Sequence, residues 1–160
     1  RGTWRAAIRR GIRTGNRTGI LMAVAIAVLG KAMSGTAIAP LNAISHILWG
    51  KTAAAARAPS LRYTATGLLL NQLAGIGWAV VMEKLFGAQL RQGALQPGLL
   101  GGAVTAALAY VTDYYVLPRR LTPGFESHFP ARAFPLLYGA LAVSLSVGAW
   151  WTRGQMRPRP

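Results

Sequence analysis

The stretch that decides the fold is residues 63–85, YTATGLLLNQLAGIGWAVVMEKL, whose two charged residues, Glu83 and Lys84, lie near its end. A helix needs about 20 predominantly apolar residues to cross the ~30 Å hydrocarbon core of a bilayer. Three further stretches of similar length and character lie at 19–38, 97–116 and 134–151. The sequence therefore predicts an all-α integral membrane protein, a four-helix bundle that forms a single domain over residues 1–160.

The composition supports this class. Hydrophobic residues make up 52% of the chain and charged residues 13%, which would leave a soluble domain with too little polar surface. A formal net charge of +15 would suggest nucleic acid in a soluble protein. Here the basic residues cluster where apolar stretches end, and no basic groove interleaved with stacking aromatics can be read. We expect no nucleic-acid partner.

The distribution of basic residues predicts the orientation. Four spans place both termini on one side of the membrane, and Lys and Arg near span ends resist translocation. The terminal side carries eleven of them, namely Arg1, Arg5, Arg9, Arg10, Arg13, Arg17, Lys84, Arg91, Arg153, Arg157 and Arg159. The opposite side carries six, namely Lys51, Arg57, Arg62, Arg119, Arg120 and Arg132. Both termini are therefore expected in the cytoplasm.

The first seventeen residues form a basic N-terminal segment with arginine at every fourth position. Arg5, Arg9, Arg13 and Arg17 would share one face of an interfacial helix and reach the phosphates of anionic lipids. Glycines in the segment weaken a helix, so a loosely ordered basic tail is the alternative. A cleaved secretory signal is a further alternative for the first span, opposed by Lys31 inside the apolar run and by Pro40 after the would-be cleavage site.

Residues 39–50, APLNAISHILWG, are too apolar for an ordinary loop and too short to cross the membrane. A short half-helix that begins at Pro40 and lies at or dips into the outer interface fits this stretch best. Asn42 and His46 would share a face of it.

Small or polar residues recur at every fourth position of three spans. Such lines let another helix approach closely, and Asn71 can bond across the contact. They offer more close-packing surface than a lone bundle needs, so we expect at least one to face a helix of another protein. The lines comprise Gly67, Asn71, Gly75 and Ala79 in the second span, Gly98 and Gly102 in the third, and Ala140, Ser144 and Gly148 in the fourth.

Two ionisable residues, Lys31 and Asp113, fall inside predicted spans, both in the outer part of the membrane. A charge at that depth usually has a partner, so an intramembrane Lys31–Asp113 ion pair is expected. The alternatives are a Lys31 side chain that reaches the outer interface, and a role for the two residues in moving ions or protons.

No catalytic constellation can be read from the chain. It has no cysteine, two histidines and three acidic residues, and it lacks the nucleophile-elbow, phosphate-loop and HExxH motifs. His46, His128, Glu126 and Asp113 all map to the outer side, but their spacing is unlike that of metal ligands. Glu83 is expected to pair with Lys84, Arg91 or Arg153. We predict no enzyme activity, no metal and no cofactor.

The segment 40–50, together with Asp113-Tyr114 and residues 118–126, PRRLTPGFE, resembles the uncharacterised small four-span inner-membrane proteins of proteobacteria. The resemblance extends over most of the chain and carries no motif of known chemistry. It implies a bacterial inner membrane and no particular activity.

Two functional hypotheses follow from these patterns. The first is a non-catalytic accessory or structural subunit that packs against other integral membrane subunits, for example in a respiratory or photosynthetic complex, and binds anionic phospholipids. The second is a small oligomeric transporter or channel whose polar path uses Lys31, Asp113, Asn71 and Gln72. The lack of repeated halves or paired broken helices favours the first.

Overall fold

The computed structural model describes residues 3–92 and 95–154. Arg1, Arg157 and Arg159, three of the basic residues assigned to the terminal side, lie outside the described residues. Within them all regular structure is helical, and four helical segments are long and apolar enough to cross a membrane, Trp4–Ser34, Tyr63–Arg91, Leu95–Val116 and Ala131–Gly154. The predicted all-α bundle with four candidate spans is confirmed.

The first helix, α1, runs without a break from Trp4 to Ser34. It begins at Thr3, whose hydroxyl accepts a hydrogen bond from the Ala6 amide, and it ends at Gly35, whose φ of 75° stops the helix. The basic N-terminal segment is therefore neither a separate interfacial helix nor a loose tail in the described residues. It is the start of the spanning helix, which ends at Ser34 instead of residue 38.

The predicted half-helix after the first span is present as two short helices, α2 (Ala39–Ile44) and α3 (His46–Ala55). Pro40 lies in the first turn of α2, where its missing N–H leaves no helical bond unmade. Every residue of α2 is buried, so this piece packs into the protein instead of lying on its surface. Gly50, with a φ of 67°, breaks the helical path inside α3.

The remaining spans are α4 (Tyr63–Arg91), α5 (Leu95–Val111) and α6 (Phe134–Gly154). A π-helical turn at Thr112–Val116 extends α5 towards the end of the bundle opposite the start of α1. Three 3₁₀ turns, Arg119–Leu121, Phe125–Ser127 and Ala131–Ala133, then lead back to α6. The second span continues six residues past the predicted limit at 85, so Glu83 lies about two turns before the end of the helix.

Helices α1 and α4 are antiparallel and lie in direct backbone contact. A Cβ added to Gly75 would lie 2.9 Å from the Gly19 nitrogen and 3.2 Å from the Gly15 carbonyl oxygen. The Asn71 amide donates a hydrogen bond of 2.8 Å to the Gly19 carbonyl oxygen. Buried Ala79 continues the same face, and Gly67 lies against the Leu41 carbonyl of α2. The small-residue line of α4 thus packs against α1 and α2 of the same chain.

The other two lines are also used within the chain. Gly102 of α5 lies against the Ala142 carbonyl of α6, and the Ser146 hydroxyl donates a hydrogen bond of 3.0 Å to the Gly98 carbonyl oxygen. Gly148 lies against the Thr14 carbonyl of α1. On the α6 line Ser144 is buried and Ala140 is partly buried against the core. The expectation that one of these lines faces a foreign helix is wrong, because each is occupied by a neighbouring helix of the bundle.

Candidate functional site

The end of the bundle at which α1 begins carries the predicted lipid-facing arginines. Arg5, Arg9 and Arg13 are exposed along one side of α1. Arg17 differs, because its guanidinium donates a 2.7 Å hydrogen bond to the Thr152 hydroxyl and lies 5.3 Å from the Trp151 ring centroid. Three of the four arginines are therefore free to meet lipid headgroups, and the fourth also contacts α6.

Glu83 forms an ion pair with Arg10 of α1, at 2.9 Å between Nε and Oε2. The predicted partners were Lys84, Arg91 and Arg153, which are close in sequence or near the same membrane surface. The Arg91 guanidinium does lie beside this pair at Gly87. Arg10 is favoured because the contact between Gly11 and Val80 brings α1 against α4 at this level. The buried carboxylate therefore joins two helices.

The predicted Lys31–Asp113 ion pair is wrong. Lys31 is exposed in the last turn of α1. Asp113 lies in the π turn, where its Oδ2 accepts a 2.6 Å hydrogen bond from the Tyr138 hydroxyl of α6. Residues 3–92 and 95–154 contain a single ion pair, between Arg10 and Glu83. The two residues do not meet because α1 turns Lys31 to the outside, and a tyrosine hydroxyl satisfies the carboxylate instead.

Aromatic side chains surround Asp113 where α5 ends and α6 begins. The Tyr110 and Tyr138 ring centroids are 5.2 Å apart, in edge-to-face geometry, and so are those of Tyr114 and Phe134. Tyr115 packs edge-on against Tyr110 at 6.0 Å. The cluster belongs to the outer ends of two spans, as expected for interfacial aromatics.

Two cavities border this cluster. The larger is an open groove of about 1160 Å³ between α5 and α6, lined by small residues of the two helices and, towards the connection between them, by tyrosines, Arg119 and Glu126. The smaller, about 310 Å³, is lined by Asn71, Asp113 and apolar side chains of α1, α2, α4 and α6. Tyr138 lines both, so the Asp113–Tyr138 hydrogen bond lies at the boundary between them.

The two histidines contact backbone carbonyl oxygens in the connections between spans. His46 Nδ1 lies 2.8 Å from the Ala43 carbonyl oxygen, and His128 Nε2 lies 2.7 Å from the Ala54 carbonyl oxygen. In the part of the chain that the structure describes, no three His, Asp or Glu side chains are placed to hold a metal ion. Their contacts give both histidines a place in the connections between helices.

Sequence reasoning missed two features of this architecture. Gly11, Gly15 and Gly19 form a fourth line of small residues at a spacing of four, and all three are buried against α4. Asn42 is fully buried, donates to the Ala56 and Ala58 carbonyl oxygens, and accepts a 2.6 Å bond from the Thr64 hydroxyl. The spacing of the glycines could have revealed the first feature, whereas no local pattern marks the bonds of Asn42.

No protein-family model, curated protein or solved structure matches the chain. The functional inference therefore rests on the residues and their geometry.

Proposed function

We propose that this chain is a non-catalytic subunit of the bacterial inner membrane, multi-pass with both termini in the cytoplasm. In this role it packs against other integral membrane subunits of a larger complex, such as a respiratory or photosynthetic one, and holds anionic phospholipids at its inner side. The excess of basic residues at the terminal side supports the orientation.

The use of buried polar groups supports a packing role. The Asn71 amide and the Thr18 and Ser146 hydroxyls each bond a backbone carbonyl of a neighbouring helix. Such bonds stabilise contacts between helices in a bilayer, where water cannot compete for the same groups. These side chains are committed to holding the bundle together.

The observation that carries the proposal is the outward face of α4 around Gly77. A Cβ added to Gly77 would meet no atom within 4 Å, so no contact inside the bundle explains a glycine there. Glycine in a helix interior costs about 1 kcal/mol relative to alanine. Exposed Leu73 and Ala74 flank it. A small residue between larger apolar ones is the feature that lets a second membrane helix approach closely.

Anionic lipid is proposed for the inner arginines. Arg5, Arg9 and Arg13 recur at a spacing of four and are exposed. Each basic residue near an anionic surface contributes about 1 kcal/mol of attraction. Exposed Trp4 and Ile8 on the same turns supply the apolar side that enters the interface.

Site-specific photocrosslinking in native membranes tests the partner. A photoreactive residue in place of Leu73 should form an adduct with one membrane protein, identified by mass spectrometry, and Gly77→Leu should abolish the adduct because its side chain holds the partner backbone away. Val28, 61% exposed on α1, provides the matched control position. Adducts with lipid or a second copy alone, or an adduct insensitive to Gly77→Leu, would contradict the proposal.

A transporter or channel is the second candidate, favoured by the fact that Asn71 and Asp113 line one cavity. Lys31 lies outside that cavity and is exposed, and Gln72 instead bonds Asn16. Solute or ion flux into liposomes that contain the purified protein, lost in Asp113→Asn, would support this candidate over the subunit.

A further inference from the structure

The open groove between α5 and α6 has the dimensions of one lipid leaflet. It extends along α5 from Ala103 to Tyr114, a separation of eleven positions in the sequence, or about 16 Å at 1.5 Å per residue. That length is about half of the ~30 Å hydrocarbon core. Its volume of about 1160 Å³ exceeds the ~300–1,000 Å³ of pockets for drug-sized ligands. The space fits hydrocarbon chains that enter from one membrane surface.

The floor of the groove is apolar and smooth. Ala103, Ala107, Gly139 and Ala142 line its inner part, and a Cβ added to Gly139 would meet no atom within 4 Å. Like Gly77, Gly139 has no explanation inside the bundle. Small side chains leave room here for methylene groups to contact the helix backbones.

The outer end of the groove carries one cation and one anion. Arg119 and Glu126 are both exposed and both line it, yet they do not pair with each other, because among the described residues the one ion pair is elsewhere. The buried Thr122 hydroxyl lies 2.9 Å from the Arg119 carbonyl oxygen and 3.2 Å from Glu126 Oε1. This hydroxyl therefore lies between the first two 3₁₀ turns, next to Arg119 and Glu126, and leaves the Arg119 guanidinium available.

Tyr114 also lines this end of the groove. Its hydroxyl is shielded from solvent, and its ring packs against Tyr138 with centroids 6.2 Å apart, which makes the Tyr138 hydroxyl its polar neighbour. The charges of Arg119 and Glu126 are therefore the polar groups that this end offers to a bound molecule.

We propose that this groove binds a zwitterionic phospholipid with a primary amine in its headgroup, of the phosphatidylethanolamine type. The acyl chains lie over Ala107 and Gly139, the phosphate meets the Arg119 guanidinium, and the ammonium meets the Glu126 carboxylate. A headgroup with both charges complements a mouth with both charges. This site is separate from the anionic lipid proposed at the inner arginines and from the partner face at Gly77.

Native mass spectrometry of the detergent-purified protein with an equimolar mixture of three lipids tests the proposal. The probes are phosphatidylethanolamine, its trimethylated analogue phosphatidylcholine, and anionic phosphatidylglycerol, with identical acyl chains. We expect phosphatidylethanolamine to be retained about tenfold more than phosphatidylcholine, because the trimethylated group cannot donate to Glu126. Equal retention of these two lipids would overturn the proposal, and so would retention of phosphatidylglycerol that Arg119→Gln lowers more than it lowers retention of phosphatidylethanolamine.

Variants locate the bound lipid. Glu126→Gln should remove the preference for the amine without weakening phosphatidylcholine. Arg119→Gln should weaken phosphatidylethanolamine and phosphatidylcholine about tenfold, since both carry the phosphate, and should leave the phosphatidylglycerol held by the N-terminal arginines in place. Arg120→Gln is the matched control, because Arg120 is an exposed neighbour that does not line the groove. An effect of Arg120→Gln equal to that of Arg119→Gln would place the lipid elsewhere.

Filling the groove separates a lipid from a protein helix as its occupant. Gly139→Leu and Ala107→Leu should each lower lipid retention at least tenfold, and Gly77→Leu on α4 should leave it unchanged. A photoreactive residue in place of Ala103 reports whether a protein lies in the groove. If both groove variants retain lipid but lose a protein that crosslinks at this position, a foreign helix fills the groove, and the lipid proposal is wrong. The Leu73 crosslink is read separately, so failure here does not affect the subunit proposal.

Discussion

Asp113 shows how a single carboxylate is accommodated in the outer half of the bundle. Its partner is the Tyr138 hydroxyl at 2.6 Å, and Lys31 is exposed on another helix. A sequence with one Lys and one Asp at similar depth favours an ion pair. The actual partner is neutral, and nothing in the local sequence distinguishes Tyr138 from the other interfacial tyrosines.

A double-mutant cycle on Asp113 and Tyr138 measures this contact. Asp113→Leu and Tyr138→Phe should each lower the free energy of unfolding in detergent, because each leaves one half-buried polar group without its partner. The double variant should recover part of the loss, with a coupling of about 1 kcal/mol or more. Lys31→Met combined with Asp113→Leu is the control pair and should be additive. Coupling to Lys31, and none to Tyr138, would contradict the structure.

Arg10 and Asn42 show the limit of reading residues in order. Glu83 was expected to find a cation nearby on the inner side, but Arg10, 73 positions away, is its partner. Asn42 was expected on an interfacial face, yet it is buried and bonds two carbonyls in the connection that follows α3. Both outcomes depend on which helices become neighbours, and the sequence pattern does not specify that.

At the scale of the helices, the contact between α1 and α4 is the element on which the bundle depends. Gly15→Leu should lower the free energy of unfolding by more than about 3 kcal/mol, beyond the usual range for overpacking, because the side chain meets the Ile76 backbone. Gly15→Ala tests the same contact if the larger variant does not fold. Gly77→Leu, on the outward face of α4, should not lower the free energy of unfolding and should raise it by up to about 1 kcal/mol, because the side chain meets no atom and a helix-interior glycine is removed. Thermal unfolding in detergent reads out all three, and equal effects at Gly15 and Gly77 would disprove the backbone contact.

The lines of small residues are packing surfaces, as the sequence predicts, but each of them packs against a helix of the same chain. Spacing identifies which face of a helix admits a close neighbour. It does not identify the neighbour. By helix propensity alone, the glycines of α1 predict only a weaker helix. Once Gly11, Gly15 and Gly19 are placed against α4, the line of Gly67, Asn71, Gly75 and Ala79 has a partner inside the chain.

At the scale of the whole molecule, the topology is open to direct labelling. The chain has no cysteine, so single cysteines at Thr3, Ala55, Gln92 and Ser127, all exposed, can be probed one at a time. An impermeant thiol reagent added to intact cells should label Ala55→Cys and Ser127→Cys and spare the other two. Labelling after membrane permeabilisation shows that every site is reactive. The reverse pattern would invert the proposed orientation.

The number and approximate limits of the spans could be predicted because hydropathy and length decide them. The observed ends of the spans differ from the predicted ends where hydropathy changes gradually along the sequence. The first span begins at Trp4 and ends at Ser34, since Thr3 caps its start and Gly35 its end. The groove and the smaller cavity could not be predicted, because they arise from helix crossings and from the turns between Thr112 and Ala133.

The length of α1 gives the bundle a mechanical property. Its 31 residues extend about 46 Å, longer than the ~30 Å hydrocarbon core, so its basic first turns project beyond it. Arg10 and Gly11 fasten those turns to α4, and no hinge separates them from the span. An electrostatic force on Arg5 and Arg9 is therefore transmitted along the unbroken helix α1 to the whole bundle. We therefore expect a change in the surface charge of the adjacent leaflet to tilt the bundle as a whole and not to bend α1 alone.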